Sequence, residues 1–331
     1  MRSFRTVFCF AVFIGLAVSA RLFSQGVSAA SPTKVFSSHV YAWFPDNTVR
    51  RHSPGPASSP NAAMPAGPFA QADIHPEGSA AVFWGGIEAR PRVWLYDFAA
   101  RTARALTIAN VGALEPSFEW QGQRIVFAAD VVGASREELL AGPGSWRRSN
   151  MNLFVMDANG GNMRQITDGA YQDSRPAFSP DGTKIVFLSN RGGSNRQLYV
   201  VPVDRSAQPR RLQPESVIVR PWFSPDGKFI YFTFANFEKA EQVRIWRIPA
   251  EGGAMEPVTP EGFPNSQGLF VDPDGLHLWF HSNGMPYRFT LQGRSLTRML
   301  PPGFTSAGHF TRSRNGIITF DSTDPDPAAR P

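Results

Sequence analysis

Hydrophobic positions along this chain fall in short bursts with no sustained helical period. "KIVFLSN" (Lys184–Asn190) is an apolar run of strand length, and "QLYVVPVD" (Gln197–Asp204) alternates in part. Runs this short, rich in β-branched and aromatic residues and bounded by Gly, Pro and Asn, predict strands. "PAFS" ahead of them predicts a first short strand, and "PRRLQ" after them a polar outer one. The "PDG" between first and second strands predicts a tight turn. Its proline presets φ, and its glycine tolerates backbone angles closed to other residues. Ser174–Gln213 therefore reads as four strands in succession.

The same unit recurs. Its second strand returns as "AVFWGG" (Ala81–Gly86), "IVFAAD" (Ile125–Asp130), "IYFTFA" (Ile230–Ala235), "LWFHSN" (Leu278–Asn283) and "IITFDS" (Ile317–Ser322). The turn glycines are Gly78, Gly122, Gly182, Gly227, Gly275 and Gly316, spaced 41 to 48 residues apart except for one interval of 60. A period of this length with four strands per unit predicts the blades of a propeller. The long interval holds an insertion, Val131–Ser149, in which "SREELLAG" could form one or two helical turns capped by Ser135. It reads as a surface loop or as a lid.

Five third strands follow their turns: "VWLYDF", "LFVMDA", "LYVVPV", "IWRIPA" and "YRFTLQ". The sixth stands at the other end of the chain. "HVYAWFPDNTVRRHS" (His39–Ser53) has the form of a third strand, a turn and an outer strand, whereas the C-terminal unit supplies only first and second strands. The two ends complement each other. The expected fold is all-β: a six-bladed β-propeller of four-stranded antiparallel blades, closed by N-terminal strands pairing with the C-terminal blade. A lone blade cannot cover both its apolar faces; stacking buries them, and closure pairs the free edges. Phe118, Phe178, Phe223 and Phe270 near first strands, and Phe127, Phe187 and Phe232 on second strands, are expected to fill the space between blades.

The stretches "DSRPAFSPDGTKIVFLSNRGGSNRQLYVVPVD" (Asp173–Asp204), "RPWFSPDGKFIYFTFANFEKAEQVRIWRIP" (Arg220–Pro249) and "NMNLFVMDANGGNMRQITDG" (Asn150–Gly169) resemble the WD40-like (PD40) repeat of the TolB-like periplasmic family. The resemblance runs over about residues 35–322 and is strongest between 150 and 250. It implies a propeller. Its functional implication is broad, because propellers of this kind bind partner proteins, bind sugars or precede a peptidase domain.

Composition narrows the picture at the front. Arg2 and Arg5 precede an apolar run from Val7 to Ala20, and small residues follow at "AVSA" and "GVSAA". That plan predicts a signal peptide over residues 1–30, with no membrane span left after cleavage. The propeller then occupies 35–322, after which 323–331 form a flexible tail. "SPGPASSPNAAMPAGP" (Ser53–Pro68) reads as an irregular connection. Cys9 is the chain's only cysteine and lies in the leader, so the exported form has neither disulfides nor thiolate metal sites. The formal charge is +6. Three of those charges are Arg2, Arg5 and Arg21, and charged residues are only 18% of the whole. Nucleic acid is therefore not an expected partner, and the expected location is periplasmic or secreted.

Candidate chemistry sits where inner strands begin. Seven residues before each turn glycine stand Gln71, Glu115, Arg175, Arg220, Gly268 and His309. Core positions would not show that composition. A polar ring on converging strand ends can hold an anionic or amide-bearing ligand, with Arg as a rigid fork. Alternatively, its charges pair with one another, Glu115 with Arg175 or Arg220, around a water-filled channel. His277 and His281, about 13 Å apart on one strand, cannot grip one metal together. "DPDG" (Asp272–Gly275) faintly echoes a calcium loop but aligns with the ordinary turns. No metal site and no cofactor are assigned, and there is no GxSxG or phosphate-binding glycine loop. The expected function is an exported scaffold binding a protein or peptide partner of the envelope at Gln71, Glu115, Arg175, Arg220 and His309. The alternative is a metal-dependent lyase or hydrolase acting on an acidic carbohydrate at the same mouth.

Overall fold

The tight turns set the architecture. In the computed structural model, the Gly182 N–H donates to the Ser179 carbonyl at 2.9 Å, and Gly182 sits at φ +69°. The Ser179 N–H then bonds the Lys184 carbonyl at 2.8 Å, and the Ser179 hydroxyl accepts from the Lys184 N–H at 2.9 Å. One serine thus ties both sides of the turn together. Ser224 and Ser313 repeat this arrangement at their own turns.

The structure describes residues 39–51, 69–85, 91–108, 112–130, 150–193, 196–213, 220–234, 243–264 and 266–322. The leader, the 53–68 connection, the 131–149 insertion and the 323–331 tail lie outside them. The strands are β1 (His39–Trp43), β2 (Val49–Arg51), β3 (Phe69–Ile74), β4 (Ala80–Gly85), β5 (Arg92–Asp97) and β6 (Thr102–Ala105). Next come β7 (Gly112–Phe118), β8 (Arg124–Asp130), β9 (Asn152–Asp157), β10 (Arg164–Gln165), β11 (Ser174–Phe178) and β12 (Lys184–Ser189). Then follow β13 (Gln197–Pro202), β14 (Arg210–Gln213), β15 (Trp222–Phe223), β16 (Phe229–Phe234), β17 (Arg244–Pro249) and β18 (Glu256–Pro257). The last are β19 (Gln267–Val271), β20 (His277–Ser282), β21 (Met285–Thr290), β22 (Ser295–Arg298), β23 (Gly308–Arg312) and β24 (Ile318–Ser322).

These form six four-stranded antiparallel sheets among the described residues. Blades 1 to 5 are β3–β6, β7–β10, β11–β14, β15–β18 and β19–β22, each in sequence order. Blade 6 has the order β2-β1-β24-β23. β1 pairs β24 along its whole length, from His39 opposite Ser322 to Trp43 opposite Ile318. The two ends of the sequence therefore share one sheet. The inner strands β3, β7, β11, β15, β19 and β23 each touch the next, and β23 touches β3, so the ring is closed. Among the described residues no helix is long and apolar enough to cross a membrane.

The core lies between blades. Phe83, Phe127, Phe187, Phe232, Phe280 and Phe320 occupy the same register position on the six second strands, and each is fully buried. The sequence reading placed three of these in register. The structure adds Phe83, Phe280 and Phe320. Phe118, Phe178, Phe223 and Phe270, expected as core, are buried as well.

Candidate functional site at the channel mouth

Five inner strands break register just where the polar column sits. The pairing of β3, β7, β11, β19 and β23 with their second strands shifts between Ala70 and Asp73, Leu114 and Ser117, Ser174 and Ala177, Gln267 and Phe270, and Gly308 and Thr311. Inside each shift is one left-handed residue: Gln71 (φ 53°), Glu115 (55°), Arg175 (54°), Gly268 (59°) and His309 (49°). A bulge re-aims the side chain it carries. Four non-glycine residues held left-handed cost about 1 kcal/mol or more each, and the fold repeats that cost around the mouth.

Gln71, Arg175, Arg220, Gly268 and His309 line one cavity at the channel axis, with Trp222 and Thr311. Glu115 stands just outside it. Its carboxylate accepts from the Arg175 backbone N–H at 2.6 Å and lies 3.6 Å from the Arg175 Nε. The expected Glu115–Arg175 pairing is thus present, and it leaves Arg175 on the cavity wall. The open space is about 30 Å³, room for about two or three waters. A second space of about 50 Å³ lies farther along the axis, and Trp222 lines both. Its ring packs edge-on against Phe270 at 5.2 Å.

The mouth has two chemically different halves. On blades 2 to 4 it carries Glu115, Arg175 and Arg220. Burial pushes the Arg220 guanidinium below its ordinary value, opposed by the charges of Glu115 and Asp73. Asp73 is buried beneath the mouth and accepts from the Ser117 hydroxyl and the Phe118 N–H, both at 2.8 Å. Burial pushes its carboxyl up, against the nearby Arg220 charge.

Blades 5, 6 and 1 carry imidazoles and one carboxylate. His309 Nδ1 meets Asp321 Oδ2 at 2.8 Å, and the Gln71 N–H reaches the same oxygen at 3.4 Å. The Gln71 side-chain oxygen accepts from the Trp84 indole at 2.9 Å. Burial would raise the Asp321 carboxyl. The charge and hydrogen bond of His309, with Gln71 N–H and His281, bring it below its ordinary value. Blade 5 has glycine in the column for a steric reason. A Cβ on Gly268 would lie 2.5 Å from His281 Cδ2. His281 of β20 fills that place and meets the His309 ring edge-on at 5.6 Å. Burial and then the neighbouring His309 push its imidazole down to about 4.

The structure thus brings together four of the five predicted residues on one cavity, with the fifth paired to it. Asp321, His281, Trp84, Asp73 and Trp222 were not in the predicted set. A second column would have exposed three of them. Six residues after the turn glycine the chain reads Trp84, Ala128, Leu188, Thr233 and His281, with Asp321 in the same register after a turn one residue shorter.

His277 sits at the opposite end of β20 from His281, with its Nδ1 2.7 Å from Asp274 Oδ2. Asp272, Asp274 and His277 are the one trio of His, Cys, Asp or Glu close enough to share an ion among the described residues. Their acceptors are already engaged. Asp272 accepts from Arg312, Trp279 and the Asp274 N–H, and Asp274 from the Leu276 and His277 N–H groups. Such bonding is that of a self-contained turn.

No protein-family model matches the chain. It is 23% identical over 154 residues to an uncharacterised peptidase, YuxL, of Bacillus subtilis, covering 46% of this chain and 22% of that protein's length. Among solved structures it is similar to TolB from Acinetobacter baumannii (TM-score 0.56, 15% identity, 88% of this chain and 65% of that one). A candidate TolB from Agrobacterium tumefaciens superposes with TM-score 0.65 at 14% identity, over 88% of this chain and 99% of that one. Oligogalacturonate lyase from Vibrio parahaemolyticus superposes with TM-score 0.56 at 11% identity, over 83% and 80%. The chain is a six-bladed propeller structurally similar to TolB-like proteins; at these identities the likeness is one of fold.

Proposed function

We propose that this chain is an exported propeller that binds a protein or peptide partner in the cell envelope, anchoring an acidic group of that partner at the channel mouth. The observation that carries this reading is the donor-rich wall of the mouth cavity. Arg175, Arg220, Gln71 and His309 line it. Trp222, 8% exposed, also lines it, with an indole N–H that has no hydrogen-bond partner among the described residues. A buried donor without a partner costs about 1–3 kcal/mol. Similarity to TolB-like proteins, and the signal-like leader, support an envelope location.

The size of the space favours this over the carbohydrate reading. A space of about 30 Å³ suits one small group, such as the tip of an acidic side chain or a chain terminus, better than a buried sugar ring. A lyase reading has one observation in its favour, the adjacent His281, His309 and Asp321. The fold neighbour from Vibrio parahaemolyticus acts on oligogalacturonate by name. Yet Asp321 Oδ2 is already held by His309 and Gln71, and these three are not close enough to share an ion.

The test is capture from envelope extract with wild type, Arg175→Ala and Arg220→Ala proteins. Loss of one and the same partner in both variants supports the anchor. Retention in both rejects these residues. Near-stoichiometric Mn, Zn or Ca in protein purified without chelator would favour the lyase reading instead.

A further inference from the structure

A ligand-sized groove lies away from the channel mouth, at the turn end of blades 5 and 6, and shares Arg312 and Arg314 with the second axial space. Its volume is about 550 Å³, within the range of small-molecule sites and far above the mouth cavity. Trp43, Trp279, Met299 and Ile318 form apolar walls, and Arg288, Asn47, Asn315, His277 and Asp274 supply polar groups.

Charge in this groove is almost fully paired. Arg312 bonds Asp272 at 2.9 Å, His277 bonds Asp274 at 2.7 Å, and Arg314 bonds Glu77 at 2.7 Å. Arg288 is the exception. Its Nε is buried with no hydrogen-bond partner, and it has no ion pair among the described residues. An arginine on a groove wall with its charge unpaired suits a planar anion it can grip with two parallel bonds.

Backbone pairing argues against a peptide as the occupant. Four strand residues on the walls already have a paired neighbour on both sides. Trp43 lies between Val49 and Ile318, Trp279 between Phe270 and Arg288, Arg288 between Trp279 and Thr297, and Ile318 between Trp43 and Arg312. At these four positions no strand edge is open for an extended chain to join; Arg312, paired with Ile318 alone, lies on the inner edge strand β23. What remains is recognition by side chains alone: apolar ring faces, amides for hydroxyls, and one guanidinium for a carboxylate.

We infer that the groove between blades 5 and 6 binds a short acidic oligosaccharide, its uronate carboxylate on Arg288 and its sugar rings against Trp43. This site is separate from the channel mouth, and the inference stands or falls without the reading given there.

Calorimetry on the exported chain tests it, using an unbranched uronic acid trisaccharide, its carboxyl-reduced counterpart and tetraglutamate. Wild type is expected to bind the triuronate. The reduced sugar, and Arg288→Met with the triuronate, are expected to bind about 10- to 100-fold more weakly. Arg288→Lys should fall between, because it keeps the charge and loses the fork. The double variant Arg175→Ala/Arg220→Ala should bind the triuronate as wild type does. If Arg288→Met does not fold, Arg288→Lys and the reduced sugar carry the test. No triuronate binding to wild type, equal binding of the reduced sugar, or tighter Arg288-dependent binding of tetraglutamate would each overturn the assignment. Loss of triuronate binding in the Arg175/Arg220 double variant would move the site to the mouth.

Discussion

Two columns of the same repeat behave in opposite ways. At the column between blades all six residues are phenylalanine: Phe83, Phe127, Phe187, Phe232, Phe280 and Phe320. At the mouth the six are Gln71, Glu115, Arg175, Arg220, Gly268 and His309. Both columns are fixed by the same turns and the same strand pairing, so geometry does not explain the difference. Packing does. Each phenylalanine must fill an equivalent wedge between neighbouring sheets, and one side chain solves that problem six times. The mouth side chains face different neighbours around a shared space, and no sixfold solution is imposed. What results is a one-sided site, with arginines and Glu115 opposite imidazoles and Asp321. A sixfold pore would not discriminate between the ends of a ligand; this mouth would.

The largest effect should come from the repeated column. Phe187→Ala and Phe280→Ala each remove a fully buried ring, at a cost of about 3–5 kcal/mol in urea unfolding. Arg175→Ala should cost well under half of that, because its side-chain pair with Glu115 is long, at 3.6 Å, and the short bond to Glu115 comes from the backbone N–H, which alanine keeps. If the arginine change destabilised as much as the phenylalanine changes, the mouth would be part of the core and the contrast would collapse.

The next effect joins the two columns. Gly268→Ala forces a left-handed alanine and drives its Cβ to 2.5 Å from His281. Strain and overpacking together are worth about 3 kcal/mol. Adding His281→Ala should recover part of that loss, leaving the double variant less than additive. Strict additivity in chemical denaturation would mean that His281 does not fill the glycine's place.

How much of this was legible in the sequence depends on what each residue answers to. Blade count, closure and strand order followed from turn chemistry and alternation, which are local and repeated. The left-handed bulges were not legible. Gln71, Glu115 and Arg175 carry no preference for positive φ, and the sequence gives only their spacing from the turn glycine. Tertiary pairing imposes the conformation. Gly268 shows the limit most plainly: it brings no side chain to the column, and the imidazole that fills its place comes from thirteen residues later on the neighbouring strand. The blade 5–6 groove was invisible for the same reason. Arg288 reads as an ordinary outward residue of a third strand, and only the packed seam shows that its Nε is buried and unmatched.

Acid should separate the halves of the mouth. His281 takes up a proton near 6.5 when unfolded and near 4 when folded. Between those values the unfolded chain binds more protons, so stability falls as pH drops from 6.5 to 4, and this group contributes no further loss below that. The full shift corresponds to on the order of 3 kcal/mol, and residual solvent access lowers the expected loss to about 2. His281→Leu, the residue blade 3 carries at the equivalent Leu188, should flatten that slope in urea midpoints taken at pH 7, 5.5 and 4. An unchanged slope would assign the acid sensitivity elsewhere.

The smallest effect isolates the backbone alone. At Arg175 the left-handed conformation penalises alanine and not glycine, so Arg175→Gly should be more stable than Arg175→Ala by about 1 kcal/mol, although both delete the same side-chain contacts. At Lys184, an ordinary position opening β12, the order should reverse, with glycine the less stable by about 0.5–1 kcal/mol. Thermal or urea midpoints of these four variants need no ligand and no knowledge of function. Opposite signs at the two positions would show that the mouth residues are held against their own conformational preference by the sheets behind them. A site strained in that way keeps its side chains aimed whether or not a partner is present. The same sign at both would mean that the bulge relaxes once the arginine is gone, and that the side chain, not the fold, sets the geometry of the mouth.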